Sequence, residues 1–163
     1  MSTQQEFHHT SGATAPAPTI RNAGTKPPTP HKLFLNLPVS DLQRTIEFIE
    51  ALGFAFNTQI SDATATCMLV GEDAYVMFLV EDRFKGFSKQ RRLADPKTET
   101  TALFSFSVDS RAEVDQVVEK AVARGGTAGD DKEDHGFMYE WSFYDRDGHG
   151  WGVFWMDPAA VQG

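Results

Sequence analysis

The feature that most constrains what this chain can fold into is an arrangement it uses twice. Near the start of the patterned region, HKLFLNLPVSD alternates Leu33, Leu35 and Leu37 against Phe34 and Asn36, the mark of a strand with two unlike faces. It runs directly into SDLQRTIEFIEALGF, where Leu42, Ile46, Ile49 and Leu52 form one apolar stripe. Ser40 is read as the cap of this helix, with Asp41 in its first turn and Gly53 as its stop. Three further strands are read at 54–60, 64–70 and 74–80. After a polar connector (81–100), with a helical turn expected around Phe84 to Lys89, the order repeats. TALFSFSVDS sets Phe104, Phe106 and Val108 against Leu103, Ser105 and Ser107, and RAEVDQVVEKAVARGG supplies a second helix. The later strands are FMYEWSFY and GHGWGVFW, the first of the extra strands being weak. The chain therefore reads βαβββ twice, and neither unit can bury its own sheet face alone.

The duplication sets the expected fold class: α+β, two βαβββ modules packed as one domain, with curved mixed sheets around a cavity and helices outside. The domain is expected over 31–158, with module one at 31–80, the connector at 81–100 and module two at 101–158. Residues 1–30, rich in Thr, Ala and Pro, are expected to be a disordered tail in which His8 and His9 are incidental; 159–163 form a short C-terminal tail.

Charge narrows the partners. A formal net charge of −8 argues against a nonspecific grip on nucleic acid or an anionic membrane. The single cysteine, Cys67, rules out an intrachain disulfide and a cysteine-rich zinc site, and no apolar run reaches the length of a membrane span. No signal-peptide pattern opens the sequence, so a cytoplasmic location is expected.

The last strand raises a specific question. Trp151, Val153 and Trp155 share one face, leaving Gly150, Gly152 and Phe154 on the other. A glycine inside a strand loses packing and marks a bulge or a close approach, so the bare face at Gly152 points to a ligand or to another part of the chain.

The two modules, the phrase LPVSDLQRTIEFIEALGF, its echo FSVDSRAEVDQVVEKAVARGG, and the closing YDRDGHGWGVFW together resemble the vicinal oxygen chelate superfamily of glyoxalase I, bleomycin-resistance proteins and extradiol dioxygenases. Within it the chain looks closest to small glyoxalase-like members described as predicted lactoylglutathione lyases. The resemblance implies a cavity between the concave sheet faces. Metal-using members carry four ligands there, one on the first and one on the last strand of each module. Carried onto this sequence, those positions fall on Phe34, on Phe78 to within one residue, on Leu103 and on Gly152. None offers imidazole, carboxylate or thiolate, so the resemblance implies a cavity without the family metal.

Alternation gives the expected ligand cavity as Phe34, Asn36, Phe78, Leu103, Ser105, Met138, Glu140, Gly152 and Phe154. Two readings stand for the phenylalanines: lining of an open pocket, or core that fills it. Glu140 is the candidate catalytic residue, as a general base or as the holder of a cationic ligand; the alternative is a solvated carboxylate or an ion pair. His135, in EDHGF, could join Asp134 and Glu140 in an unorthodox metal site, although a loop histidine is more commonly solvated. His149 is read as a surface turn residue, Cys67 as a buried apolar group, GGTAG as no phosphate loop, and DDKED as a solvated loop.

The function expected is binding or sequestration of a small molecule in a metal-free cavity, as in bleomycin-resistance-like members, by a homodimer with the cavity near the subunit boundary. No cofactor is expected. The rival is a glyoxalase-like lyase, isomerase or dioxygenase, which would need a divalent metal on non-standard ligands or metal-free acid/base chemistry. A purely structural domain is the third reading, favoured if the Phe side chains close the cavity.

Overall fold

The structure, a computed structural model, describes residues 29–160. Residues 1–28 of the expected tail, with His8 and His9, and the last three residues lie outside the described residues. The first module runs β1 (Leu33–Val39), α1 (Leu42–Ala51), β2 (Ala55–Phe56), β3 (Ala65–Leu69) and β4 (Ala74–Val80). After α2 (Glu81–Phe87) come β5 (Leu103–Ser107), α3 (Arg111–Ala123), β6 (Thr127–Ala128), β7 (Glu133–Asp134), β8 (Met138–Tyr144) and β9 (Gly150–Met156). The first sheet has the order β1-β4-β3-β2 and the second β5-β9-β8-β6, with the short β7 also paired to β8. In each sheet the first strand lies parallel to the last, and the other pairs are antiparallel. This is the expected α+β class built from two βαβββ modules, the second with its edge strand interrupted into β6 and β7, which pair with successive parts of β8. Among the described residues no helix is long and apolar enough to cross a membrane.

Both sheets turn one face to a common core. Leu37, Val39, Val76, Phe78 and Met68 come from the first sheet, Phe48, Ile49 and Leu52 from α1 and its end, Val114, Val117, Val118 and Ala121 from α3, and Phe143, Trp151 and Val153 from the second sheet. Trp151 is the hub: its ring centroid lies 5.4 Å from Phe104, 6.3 Å from Phe78, 6.4 Å from Phe143 and 6.5 Å from Phe106. Its indole N–H is not wasted by burial, because it donates to Asp145 at 2.9 Å.

Three local expectations are corrected. The segment 54–60 is a strand for only two residues, because Asn57 accepts from the Gln59 amide and turns the chain into a single 3-10 turn, Thr58–Ile60. The cap of α1 is Asp41, whose side chain accepts from the Arg44 N–H at 3.0 Å; Ser40 is used elsewhere. The helical turn after β4 begins at Glu81, earlier than the expected start at Phe84.

Candidate functional site

The register of the second sheet decides which side chains meet. Leu103 lies opposite Gly150 and Ser105 opposite Gly152 on the parallel β5–β9 pair, while Ser142 faces Gly152 and Glu140 faces Phe154 across β8–β9. Paired residues point to the same side. Leu103, Ser105, Met138, Glu140, Gly152 and Phe154 therefore share the face turned away from the core. On that face lies a cavity of about 280 Å³, whose wall includes Leu103, Ser105, Ser142, Gly150, Gly152 and Glu140. Met138 and Phe154 lie on the same face but outside the lining.

The cavity floor is low because of its glycines. A Cβ built on Gly152 would meet the Ser105 hydroxyl at 2.6 Å, and one on Gly150 would meet the Leu103 side chain at 2.8 Å. The close approach signalled by the bare face of β9 is thus made first by the neighbouring strand's own side chains, and the space above them is the cavity.

Carboxylates gather at the cavity wall: Asp130, Asp131, Glu133 and Glu140 line it, and among the described residues no lysine or arginine does. Lys132, in the same stretch, is drawn off to Asp115 at 2.8 Å and lies over the Trp141 ring. Asp134 points elsewhere too. It pairs with Arg111, whose guanidinium also donates to the Gly136 carbonyl at 2.7 Å and lies over the rings of Trp155 and Tyr139. The Arg111 guanidinium holds the Asp134 carboxyl below its ordinary range. Of the expected trio, His135 and Glu140 do come together, at 3.8 Å, while Asp134 is replaced by Glu133, 3.1 Å from the imidazole.

The first sheet behaves differently. Phe34 and Asn36 lie on the outward face of β1, but Phe78 does not join them. It pairs with Leu37 on the core side and is fully buried; Tyr75, Met77 and Leu79 take the outward positions. The one-residue shift has a simple cause: the turn at 71–73 fixes where β4 begins, and a slip of one exchanges the faces. Much of this outward face is filled. The 3-10 turn packs against β3 and α2 against β1 and β4, and Ala65, Cys67 and Leu79 are buried. Burial pushes the Cys67 thiol up, which suits an inert apolar side chain. Phe34 itself is half exposed and stacks on Tyr75 at 4.7 Å. No residue of the first sheet lines the 280 Å³ cavity.

His149 is also not on the surface. It is buried, with Nε2 2.7 Å from the Pro38 carbonyl, so the turn DRDGHG docks onto the end of β1. Asp147 in the same turn accepts from Ser40 and Arg44. The sequence reading missed this junction, and it missed Asp130, Asp131 and Glu133 at the cavity; the acidic run DDKED was the available signal, but only the β7–β8 register aims it. Two broader clefts of about 460 Å³ each lie where the segment around Pro96 and Lys97 crosses the junction, lined by that segment together with Gly125, Tyr144 and Arg146 in one and with Glu81, Lys85 and Asp147 in the other.

Donor chemistry tests the family's metal positions. Phe34, Leu103 and Gly152 have no donor, and at the second position neither Phe78 nor the outward-facing Met77 supplies a hard ligand. A divalent cation does not fit there.

Two βαβββ modules, each with a parallel first–last strand pair and a shared core, define the paired-module class of α+β proteins. The chain belongs to the Glyoxalase/Bleomycin resistance protein/Dioxygenase superfamily, whose profile matches residues 29–153. Its fold is similar to that of a hypothetical protein from S. aureus (25% identity, TM-score 0.65, covering 77% of this chain and 94% of that one). It also resembles a glyoxalase/bleomycin resistance protein/dioxygenase family enzyme from Burkholderia phytofirmans (16% identity, TM-score 0.65, 76% and 96%). A genomically encoded fosfomycin resistance protein from Listeria monocytogenes shares the fold at 20% identity, with TM-score 0.56 and coverage of 77% and 90%. No curated protein gives a significant match.

Proposed function

We propose that this protein binds or sequesters a small molecule against the outward face of its second sheet, without a metal ion at the family positions. The observation that carries this reading is the 280 Å³ cavity over Gly150 and Gly152, where apolar Leu103 and polar Ser105, Ser142 and Glu140 converge. A concave site with a few placed polar groups is the usual form of a small-molecule pocket. The protein acts in the cytoplasm and as a homodimer, with the cavity near the subunit boundary. Supporting the dimer, Leu103, 70% exposed, stands at the cavity on β5, whose other edge has no partner strand among the described residues.

A second reading, a glyoxalase-like lyase, isomerase or dioxygenase, draws on Glu140 at the cavity wall beside His135 as an acid/base pair.

The test is a thermal-shift screen of a chemically diverse small-molecule set on the full chain, repeated with Gly152→Leu and Ser142→Leu, which fill the cavity from two strands. A ligand at 100 times its Kd raises stability by about 2.7 kcal/mol. Hits whose shift disappears in both variants support the reading. Shifts that survive in both, or a screen with no hits, overturn it. Turnover of a hit that is lost with Glu140→Gln would favour the enzyme reading.

A further inference from the structure

We infer that Glu133, His135 and Glu140 form a divalent-cation site at the wall of the second-sheet cavity, away from the positions where the superfamily's metal ligands fall. Strand geometry builds it. Glu133 and His135 are two apart on one edge of a hairpin, so they point the same way, and Glu133 lies directly opposite Glu140 in the β7–β8 register. One ligand atom from each of the three residues lies within 4.8 Å of the other two. The imidazole Nε2 is 3.1 Å from one carboxylate and 3.8 Å from the other. A zinc-type ion with bonds of about 2.0–2.2 Å sets its ligands about 3.3–3.5 Å apart, so small rotamer changes suffice.

Two further observations point to an occupant. Like charges directly opposite on an antiparallel pair are unfavourable, yet among the described residues no lysine or arginine pairs with Glu133 or Glu140, whose near partner is the His135 imidazole, with Lys132 and Arg111 committed to Asp115 and Asp134. The cavity itself is the second: Glu133 and Glu140 belong to its wall, with Asp130 and Asp131 beside them and His135 outside the lining, so an ion held by the two carboxylates would border the space a ligand would enter. One imidazole and two carboxylates suit zinc or manganese rather than calcium. The hairpin is held in place by Arg111, which bridges Asp134 and the Gly136 carbonyl, and by the His135 amide donating to the Met138 carbonyl at 2.9 Å. Gly136, with φ of 80°, permits the tight turn that brings His135 back over Glu140.

The test needs no organic ligand, so it stands apart from the small-molecule reading. Zinc binding is measured by calorimetry on the full chain carrying His8→Ala and His9→Ala, which removes the histidine pair of the N-terminal segment. His135→Ala, Glu140→Gln and Glu133→Gln are then added singly. Their side chains are exposed by 40% or more, so the folded state survives their loss, checked by circular dichroism. The expected result is one zinc per chain in the parent and affinity reduced at least about tenfold in each folded variant, since even outer partners of a metal ligand are worth that much. No stoichiometric zinc in the parent overturns the inference. So does affinity left unchanged by the variants.

Discussion

The Ser40 hydroxyl lies 2.6 Å from the Asp147 carboxylate, although the two residues stand 107 apart in the chain. The same carboxylate accepts the Ser40 N–H at 3.0 Å and the Arg44 guanidinium at 3.1 Å. The end of β1 in module one is thereby tied to the turn before β9 in module two. Burial pushes the Asp147 carboxyl up, but the Ser40 hydrogen bonds and the Arg44 charge outweigh it and hold the group below its ordinary value.

Asp147→Ala is expected to cost about 2–4 kcal/mol, because it removes several hydrogen bonds to a largely buried charge and leaves Arg44 with the Ser40 hydroxyl but without its carboxylate. A folded-state pKa below the unfolded value of about 3.9 gives stability that is fully present above that value and lost as pH falls through the folded pKa. Urea unfolding between pH 7 and pH 2 should therefore show a shallower acid limb in Asp147→Asn than in the wild type. Parallel limbs would deny Asp147 this role.

Gly152 and Ser105 should be coupled. An added Cβ would meet the Ser105 hydroxyl at 2.6 Å and the Ser105 Cβ at 3.3 Å; the hydroxyl, the tighter contact, is the movable end of a side chain. Gly152→Ala alone should be nearly neutral or mildly destabilising. In a Ser105→Ala background it should gain about 0.5–1 kcal/mol from the lost flexibility of glycine. A double-mutant cycle by chemical denaturation reads the coupling, and strict additivity would disprove it.

Gly148 should tolerate nothing larger. Its φ is 98°, and a Cβ there would sit 2.8 Å from backbone atoms of Pro96 and Lys97, which cannot rotate away. Gly148→Ala is expected to cost about 2–4 kcal/mol, measured as a fall in Tm and in urea midpoint.

For the proposed homodimer, light scattering after gel filtration should give twice the chain mass of 18.1 kDa. Leu103→Lys, at an exposed site beside the cavity, should shift the distribution toward the monomer without changing the far-ultraviolet spectrum. A wild type that elutes as a monomer at micromolar concentration would remove the dimer from the proposal.

Strand, helix and duplication were legible in the sequence because each rests on local periodicity: Leu33, Leu35 and Leu37, or Trp151 and Val153, repeat at two, and α1 repeats at three and four. The outward face of the second sheet followed from the same alternation. What periodicity leaves open is register and long-range pairing. AYVMFLV is apolar throughout, so nothing in it says whether Met77 or Phe78 faces the core; the β1–β4 pairing decides. His149 and Asp147 look like surface turn residues until β1 is brought against them. Likewise Glu133 belongs to an acidic run whose direction is set only by its pairing with Glu140.

The shared core has a practical consequence. Phe48 packs at a tilt against Phe143 and Phe78 against Trp151, so each module carries half of a surface that only the other completes. Cut between 88 and 102, the chain would yield two pieces that are unfolded apart and recover the fold when mixed. The intact segment serves as a tether that keeps each half at high local concentration around the other, which would make this scaffold a natural basis for a split reporter.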